Sequence, residues 1–176
     1  SLYAGIMIDT NNFLTKTGVR TFEAAAFLRR CGADVTRVRK MFREHVEDYR
    51  AKGEAIRNAE LFREHFAISV CPSEGLDSPT VVGAQAANEL LNIIGVKASF
   101  VLTDYRNTIY ISARSIDEIN VQIVMERLGG GGHLNIAGAQ LEHYSITEAK
   151  DVLKQTLQKM LDDCLLYTSD AADEAR

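Results

Sequence analysis

Gly129-Gly130-Gly131-Gly132-His133-Leu134-Asn135-Ile136-Ala137-Gly138 is the stretch on which the reading of this 176-residue chain turns. One glycine after a helix is an ordinary stop, but four in a row cost far more backbone entropy than a stop requires. Such a run lets backbone N–H groups come close to an anion. If Leu134 to Ala139 opens a new helix, its N-terminal dipole adds to that attraction. His133 stands at the join, placed to donate a ring N–H to a phosphate oxygen. The run is neither a GxGxxG nor a Walker loop, since no Lys-Ser/Thr follows the glycines. The competing reading is a flexible hinge with a surface histidine.

Just upstream lies Ile111-Ser112-Ala113-Arg114-Ser115, where a strand gives way to a helix. An arginine between two serines suits two-pronged recognition of phosphate. Ser115 has a rival role as the N-cap of a capping box, Ser115-Ile116-Asp117-Glu118, opening a helix through Ile119, Ile123, Val124 and Leu128. Arg114, for its part, has Asp117 and Glu118 nearby as alternative partners.

Moving outward, Phe66 to Val70 reads as a strand rich in aromatic and β-branched residues. Ser78-Pro79 gives an N-cap with proline at the first helical position. Val82, Ala86, Leu90 and Ile94 make the stripe of that helix, closed by Gly95. Ala98 to Leu102 and Ile109 to Ser112 read as paired strands around Asp104-Tyr105-Arg106-Asn107. On the far side of the glycines, Ser145-Ile146-Thr147-Glu148 is a second capping box. It opens a last helix with Val152, Leu153, Leu157, Met160 and Leu161 inward. Strands alternating with helices make this region α/β.

Toward the N-terminus, the apolar positions from Val35 to Phe62 fall mostly at helical steps, which predicts one long, one-sided connector helix. Its basic run Arg37-Val38-Arg39-Lys40 with Arg43 reads as a solvated face, because Glu44, Glu47 and Asp48 follow directly. Thr21 to Cys31 predicts a short helix, and Gly5-Ile6-Met7-Ile8-Asp9-Thr10 a buried strand ending at a polar turn. No other Asp, Glu or His stands near Asp9 in sequence to complete a metal site. His45, His65 and His143 receive no role. Beyond Leu161 the regular spacing stops. Leu165 to Arg176 matches no period, resembles translated sequencing-adapter read-through, and is read as a non-native tail. The expected regions are therefore 1–34, the connector 35–64, the α/β region 65–164 and the tail 165–176.

Composition bounds the function. Hydrophobic residues are 46% and charged residues 25%, as in globular proteins. No apolar run approaches the roughly 20 residues of a spanning helix. Cys31, Cys71 and Cys164 form no CxxC, which argues against a disulfide framework or a zinc site and fits a reducing compartment. A net charge of −4 excludes a broadly basic, non-specific nucleic-acid binder, so no long duplex partner is expected.

Taken together and in this order, these segments resemble the C-terminal part of DHH-family phosphoesterases, over roughly Ala4 to Asp162. Gly129 to His133, following Ser112-Ala113-Arg114-Ser115, resembles the glycine–histidine signature of the family's DHH-associated substrate domain. Met7-Ile8-Asp9-Thr10-Asn11-Asn12-Phe13 looks like the last metal-ligand motif of the DHH domain. The wording of Ile111 to Ser115 and of Ile119-Asn120-Val121-Gln122 resembles GdpP-type cyclic-di-AMP phosphodiesterases.

The resemblance implies the end of a DHH catalytic lobe (1–34), a connector helix (35–64) and a smaller α/β substrate-binding lobe (65–164). It implies a two-metal site, typically Mn2+, with Asp9 as one ligand. Arg114, Ser112, Ser115, Gly130, Gly131, Gly132 and His133 would hold substrate phosphate. The Asp-His-His triplet that names the family does not occur here. The expectation is therefore a piece of a larger enzyme, inactive by itself, whose parent is a homodimer held at the cytoplasmic face of a membrane through an N-terminal part. The substrate is expected to be cyclic di-AMP. The alternatives are a short-oligonucleotide phosphoesterase of nanoRNase or exonuclease type, or a nucleic-acid-binding module without catalysis, as in the associated domain of alanyl-tRNA synthetases.

Overall fold

The structure is a computed structural model that describes residues 2–10, 12–14, 16–116 and 119–173, the side chains of 164–173 excepted. It divides into two compact units, one up to His45 and one from Val46 onward.

The first unit holds α1 (Leu2–Asp9), α2 (Val19–Arg30) and α3 (Val35–Met41). The strand expected at Gly5 to Thr10 is instead α1. Leu2 to Ile8 is too uniformly apolar to carry a period, so a helix and a strand fit it equally, and among the described residues this unit has no strand to pair with. Thr10 closes the helix by donating its hydroxyl to the Ile6 carbonyl (2.6 Å). Phe13 stacks on Phe22 of α2 (ring centroids 5.6 Å apart) and meets Tyr3 edge-on. Asp34 caps α3 by accepting from the Thr36 and Arg37 N–H groups.

The single connector helix is also corrected. The Phe42 N–H bonds the Arg39 carbonyl, a tight i to i−3 closure that ends α3. A separate α4 (Val46–Arg57) follows. Phe42 and Val46 remain 39% and 53% exposed, so the helical spacing across residues 42–46 buries no continuous stripe. The last residues of the expected helix become β1 (Glu60–Phe62), drawn into antiparallel pairing with β2 (Phe66–Cys71).

The second unit is built on a six-stranded sheet. From β2 the chain crosses through α5 (Pro79–Leu90) to β3 (Ala98–Tyr105), parallel to β2. A tight turn at Arg106-Asn107, both at positive φ (53° and 59°), leads to β4 (Thr108–Ser115). Then come α6 (Val121–Arg127), β5 (Gly131–His133), β6 (Ile136–Glu142) and α7 (Ile146–Asp173), giving the strand order β1-β2-β3-β4-β6-β5. One face carries α6 and α7, whose Met125, Leu153 and Leu157 pack over Phe66, Phe100, Leu102, Ile109 and Ile111, all fully or almost fully buried. The other carries α4 and α5, with Val82, Ala86 and Leu90 of α5 packed over Ala67 and Val101. Within that layer, the Ser69 hydroxyl donates to the Ala55 carbonyl and the Ser99 hydroxyl to the Ala87 carbonyl, so both are buried without an unpaired donor.

Three further expectations change here. The helix after β4 begins at Val121, not after Ser115. Asn120 is its cap, accepting from the Gln122 and Ile123 N–H groups, while Ser115 stays in the β4 ladder. Asp117 and Glu118 lie outside the described residues. Leu134 to Ala139 opens no helix: Leu134-Asn135 is a two-residue hairpin turn between β5 and β6. The helix-dipole contribution to anion binding is therefore withdrawn. Finally, α7 continues through Asp173 although the apolar spacing ends earlier, since leucine and alanine favour helix without a face to bury. Among the described residues no helix is long and apolar enough to cross a membrane.

Candidate functional site

On the α4–α5 side, the helices cover β2 and β3, with α5 reaching across to β4, and leave β6 and β5 largely open. Residues directly opposite in antiparallel pairs share a face, and every second residue along a strand returns to it. The register therefore sets out three rows across the open half-sheet. Arg114 stands beside Ile136 and His133; Ser112 beside Gly138 and Gly131; Tyr110 beside Gln140. The middle row has no side chain beyond Ser112, so it forms a trough. A pocket of about 600 Å3 lies along it, lined by Thr80, Tyr110, Ser112, Gly130, Gly131 and Gln140 among others.

The glycines divide into two kinds. A Cβ on Gly130 would strike the Gly138 carbonyl oxygen and sit 2.6 Å from the Ala139 Cα. Gly132 has φ +148°, and a Cβ there would lie 2.5 Å from the Ala137 Cα. These two are glycine so that β5 can close on β6. A Cβ on Gly131 would meet nothing within 4 Å, and its φ is not positive. Gly129, where a Cβ would also meet open space, has φ +78° after α6, so of the four only Gly131 is explained neither by packing nor by backbone conformation, and it faces the trough.

Arg114 is half-buried at the trough's edge. Its Nε donates to Asn88 Oδ1 of α5 (3.0 Å) and its Nη1 to the Ala113 carbonyl (2.8 Å). Burial pulls the guanidinium below its ordinary value, yet an arginine stays charged at neutral pH. Two fixed acceptors hold the plane and leave the remaining N–H groups for an anion. The Ser112 hydroxyl has no protein partner among the described residues, and His133 is exposed at the end of β5.

Of the residues singled out from sequence, Arg114, Ser112, Gly131 and His133 share this face, and Gly130 borders the pocket with its backbone. Gly132 pairs with the inward Ala137. Ser115 is 6% exposed on the opposite face, its hydroxyl 3.4 Å from the Leu134 carbonyl, and takes no part in the trough. Asn88, Tyr110 and Gln140 escaped the sequence reading. The alternation of Ala137, Ala139 and Leu141 with Gly138, Gln140 and Glu142 was the available signal, had that segment been read as a strand.

Asp9 belongs to the first unit, exposed in the last turn of α1. Among the described residues no three His, Cys, Asp or Glu side chains come together as a metal site. One exposed carboxylate does not fit a two-metal centre, and no chemical step is assigned to a metal here.

The chain is 42% identical over 154 residues to the cyclic-di-AMP phosphodiesterase PdeA of Listeria monocytogenes, a match covering 87% of this chain and 23% of that protein. It is 42% identical over 161 residues to the cyclic-di-AMP phosphodiesterase GdpP of Bacillus subtilis, covering 90% and 24%. The chain thus spans about a quarter of the length of these relatives. An exopolyphosphatase-related protein from Bacteroides fragilis has the same fold, with a TM-score of 0.78 over 88% of this chain and 47% of that one at 23% identity. Residues 65–159, just over half of the chain and running from the start of β2 into α7, match the DHHA1 domain, and the chain belongs to the DHHA1 domain family.

Proposed function

We propose that this chain supplies the nucleotide-binding lobe of a phosphodiesterase that hydrolyses cyclic di-AMP to a linear dinucleotide. The observation that carries the reading is Arg114, fixed by Asn88 and the Ala113 carbonyl beside a row of the sheet with no side chain but Ser112. A guanidinium so held presents a planar pair of donors to a phosphate oxygen pair. The Ser112 hydroxyl adds a neutral donor, and His133 closes the Arg114 row from β5. Gly131 keeps the floor open, so the phosphate can approach the backbone. The 42% identity to two cyclic-di-AMP phosphodiesterases supports the substrate class.

These groups bind and orient; none is placed to activate a water. Hydrolysis belongs to the longer protein, where manganese would need ligands beyond Asp9. Homodimerisation and attachment at the cytoplasmic face of a membrane are further parts of this reading, resting on the resemblance alone. The test is a titration of the 176-residue chain with cyclic di-AMP, followed by amide NMR. Shifts concentrated at Ser112, Arg114, Gly131 and His133 support the proposal. Binding that shifts other surfaces, or no binding, overturns it.

A further inference from the structure

We infer that the end of the trough away from Arg114 is a nucleobase subsite, built by Tyr110, Gln140 and Glu142, that selects adenine. The inference rests on the phosphate reading of Arg114 and adds the orientation and identity of the nucleotide. Arg114, Ser112 and Tyr110 are successive same-face positions of β4, each step about 7 Å along the strand. Between the outer two lies only the row of Ser112, Gly138 and Gly131. A phosphate on Arg114 therefore has an unobstructed floor for its sugar before the next side chains rise at Tyr110 and Gln140.

Charge sets the direction. Arg114 stands in the row beyond Ser112, outside the lining of the pocket itself, and Glu142, an exposed carboxylate that pairs with no cation among the described residues, lines the pocket at the other end. The cation at the Tyr110 end, Arg106, lies over the Tyr105 ring and shares that end with Glu142, whereas Arg114 has no carboxylate in its row, so the anion is drawn to Arg114 and the base is left at the Tyr110 end. The ring of Tyr110 is backed by Tyr105, centroids 6.5 Å apart at 51°, and Tyr105 lies under the Arg106 guanidinium at 4.9 Å. That support holds the Tyr110 ring for stacking. The Gln140 amide has no protein partner among the described residues. It offers one donor and one acceptor, the pair that matches N7 and the N6 amine of adenine. Glu142 can accept only, which again favours an amine over a carbonyl at that position. Hypoxanthine, with an oxygen in place of the amine, can still accept the Gln140 N–H at N7 but leaves the Gln140 carbonyl and Glu142 facing an acceptor.

The experiment compares adenosine 5′-monophosphate, inosine 5′-monophosphate and ribose 5-phosphate binding to the whole chain by calorimetry. Adenosine monophosphate should bind about tenfold or more tighter than ribose 5-phosphate, and about fivefold or more tighter than the inosine nucleotide. Tyr110→Ala should bring adenosine monophosphate close to the ribose phosphate level, while Tyr110→Phe keeps its advantage. Gln140→Leu, at an exposed position, should erase most of the adenine over inosine preference without altering melting. Equal binding of all three compounds, abolished by Arg114→Ala, overturns the base subsite and leaves the phosphate reading intact. If none binds, or if Arg114→Ala has no effect on ribose 5-phosphate, the phosphate reading falls and takes the subsite with it.

Discussion

Replacing glycines one at a time within Gly130 to Gly132 separates folding from binding. At Gly132 an alanine would have to adopt φ near +148°, a conformation costing about 1–3 kcal/mol outside glycine. Its Cβ would also lie 2.5 Å from the Ala137 Cα, and relieving that overlap costs about 1–3 kcal/mol more. Gly132→Ala should thus destabilise by about 2–6 kcal/mol, a large share of the roughly 5–15 kcal/mol that holds a domain together. Gly130→Ala meets the same obstacle in the Gly138 carbonyl and the Ala139 Cα, without the positive φ. At Gly131 the new methyl meets open space, and restricting the unfolded chain favours the variant by up to about 1 kcal/mol. A gap of at least about 2 kcal/mol between Gly131→Ala and Gly132→Ala corresponds to about 1 M in the urea midpoint. Urea unfolding followed by circular dichroism reads it directly. Gly131→Val should likewise fold but weaken cyclic di-AMP binding, because its branched side chain stands in the trough. If Gly131→Ala unfolds as early as Gly132→Ala, or if Gly132→Ala unfolds with the parent, the division of the glycines is wrong.

Two further predictions concern the rest of the second unit and the thiols. The Ser145 N–H and hydroxyl both donate to Glu148, holding its carboxyl below the usual carboxylate range, and the Glu148 N–H donates back to the Ser145 hydroxyl. That stabilisation is full above the unfolded carboxyl's ordinary value and is lost as pH falls through the lowered folded value. Glu148→Ala should therefore melt earlier than the parent at pH 7, with the difference closing in strong acid; a difference independent of pH would refute the box. Burial pushes the Cys71 thiol up to about 11, whereas Cys31 is exposed. An aromatic disulfide reagent at pH 8 should modify Cys31 promptly and Cys71 only as the protein unfolds; equal rates would contradict the buried setting.

Much of the second unit was legible because its signals are local. The Phe66 strand, the Ser78-Pro79 helix start and the paired strands around Arg106-Asn107 each carry their own period and punctuation. What was misread had a local signal that tertiary pairing overrode. Ser115 and Asn120 both offered a helix cap, and the β4 ladder with β3 took Ser115, leaving the cap to Asn120. Ile136 to Glu142 alternates like a strand, but four preceding glycines suggested a phosphate loop feeding a helix. Glu60 to Phe62 continued a helical spacing until β2 offered it backbone partners. The trough was half visible for the same reason. Ser112 and Arg114 stand two apart in one strand, so their common face follows from alternation, whereas placing Tyr110 beside Gln140 requires the β4–β6 register, which no local pattern contains.

On the proposed reading, Arg114 meets a substrate phosphate across the trough. The most direct test of that contact is calorimetric titration of cyclic di-AMP into the parent chain, Arg114→Ala and Arg114→Lys, with melting curves recorded on each. Loss of charge-assisted hydrogen bonds should weaken Arg114→Ala by about 1.5–3 kcal/mol, roughly 10- to 150-fold in affinity. Arg114→Lys should recover only part of this, since an ammonium keeps the charge but not the planar pair of donors or the Asn88 contact. An Arg114→Ala protein that melts with the parent and binds cyclic di-AMP equally well would contradict the claim.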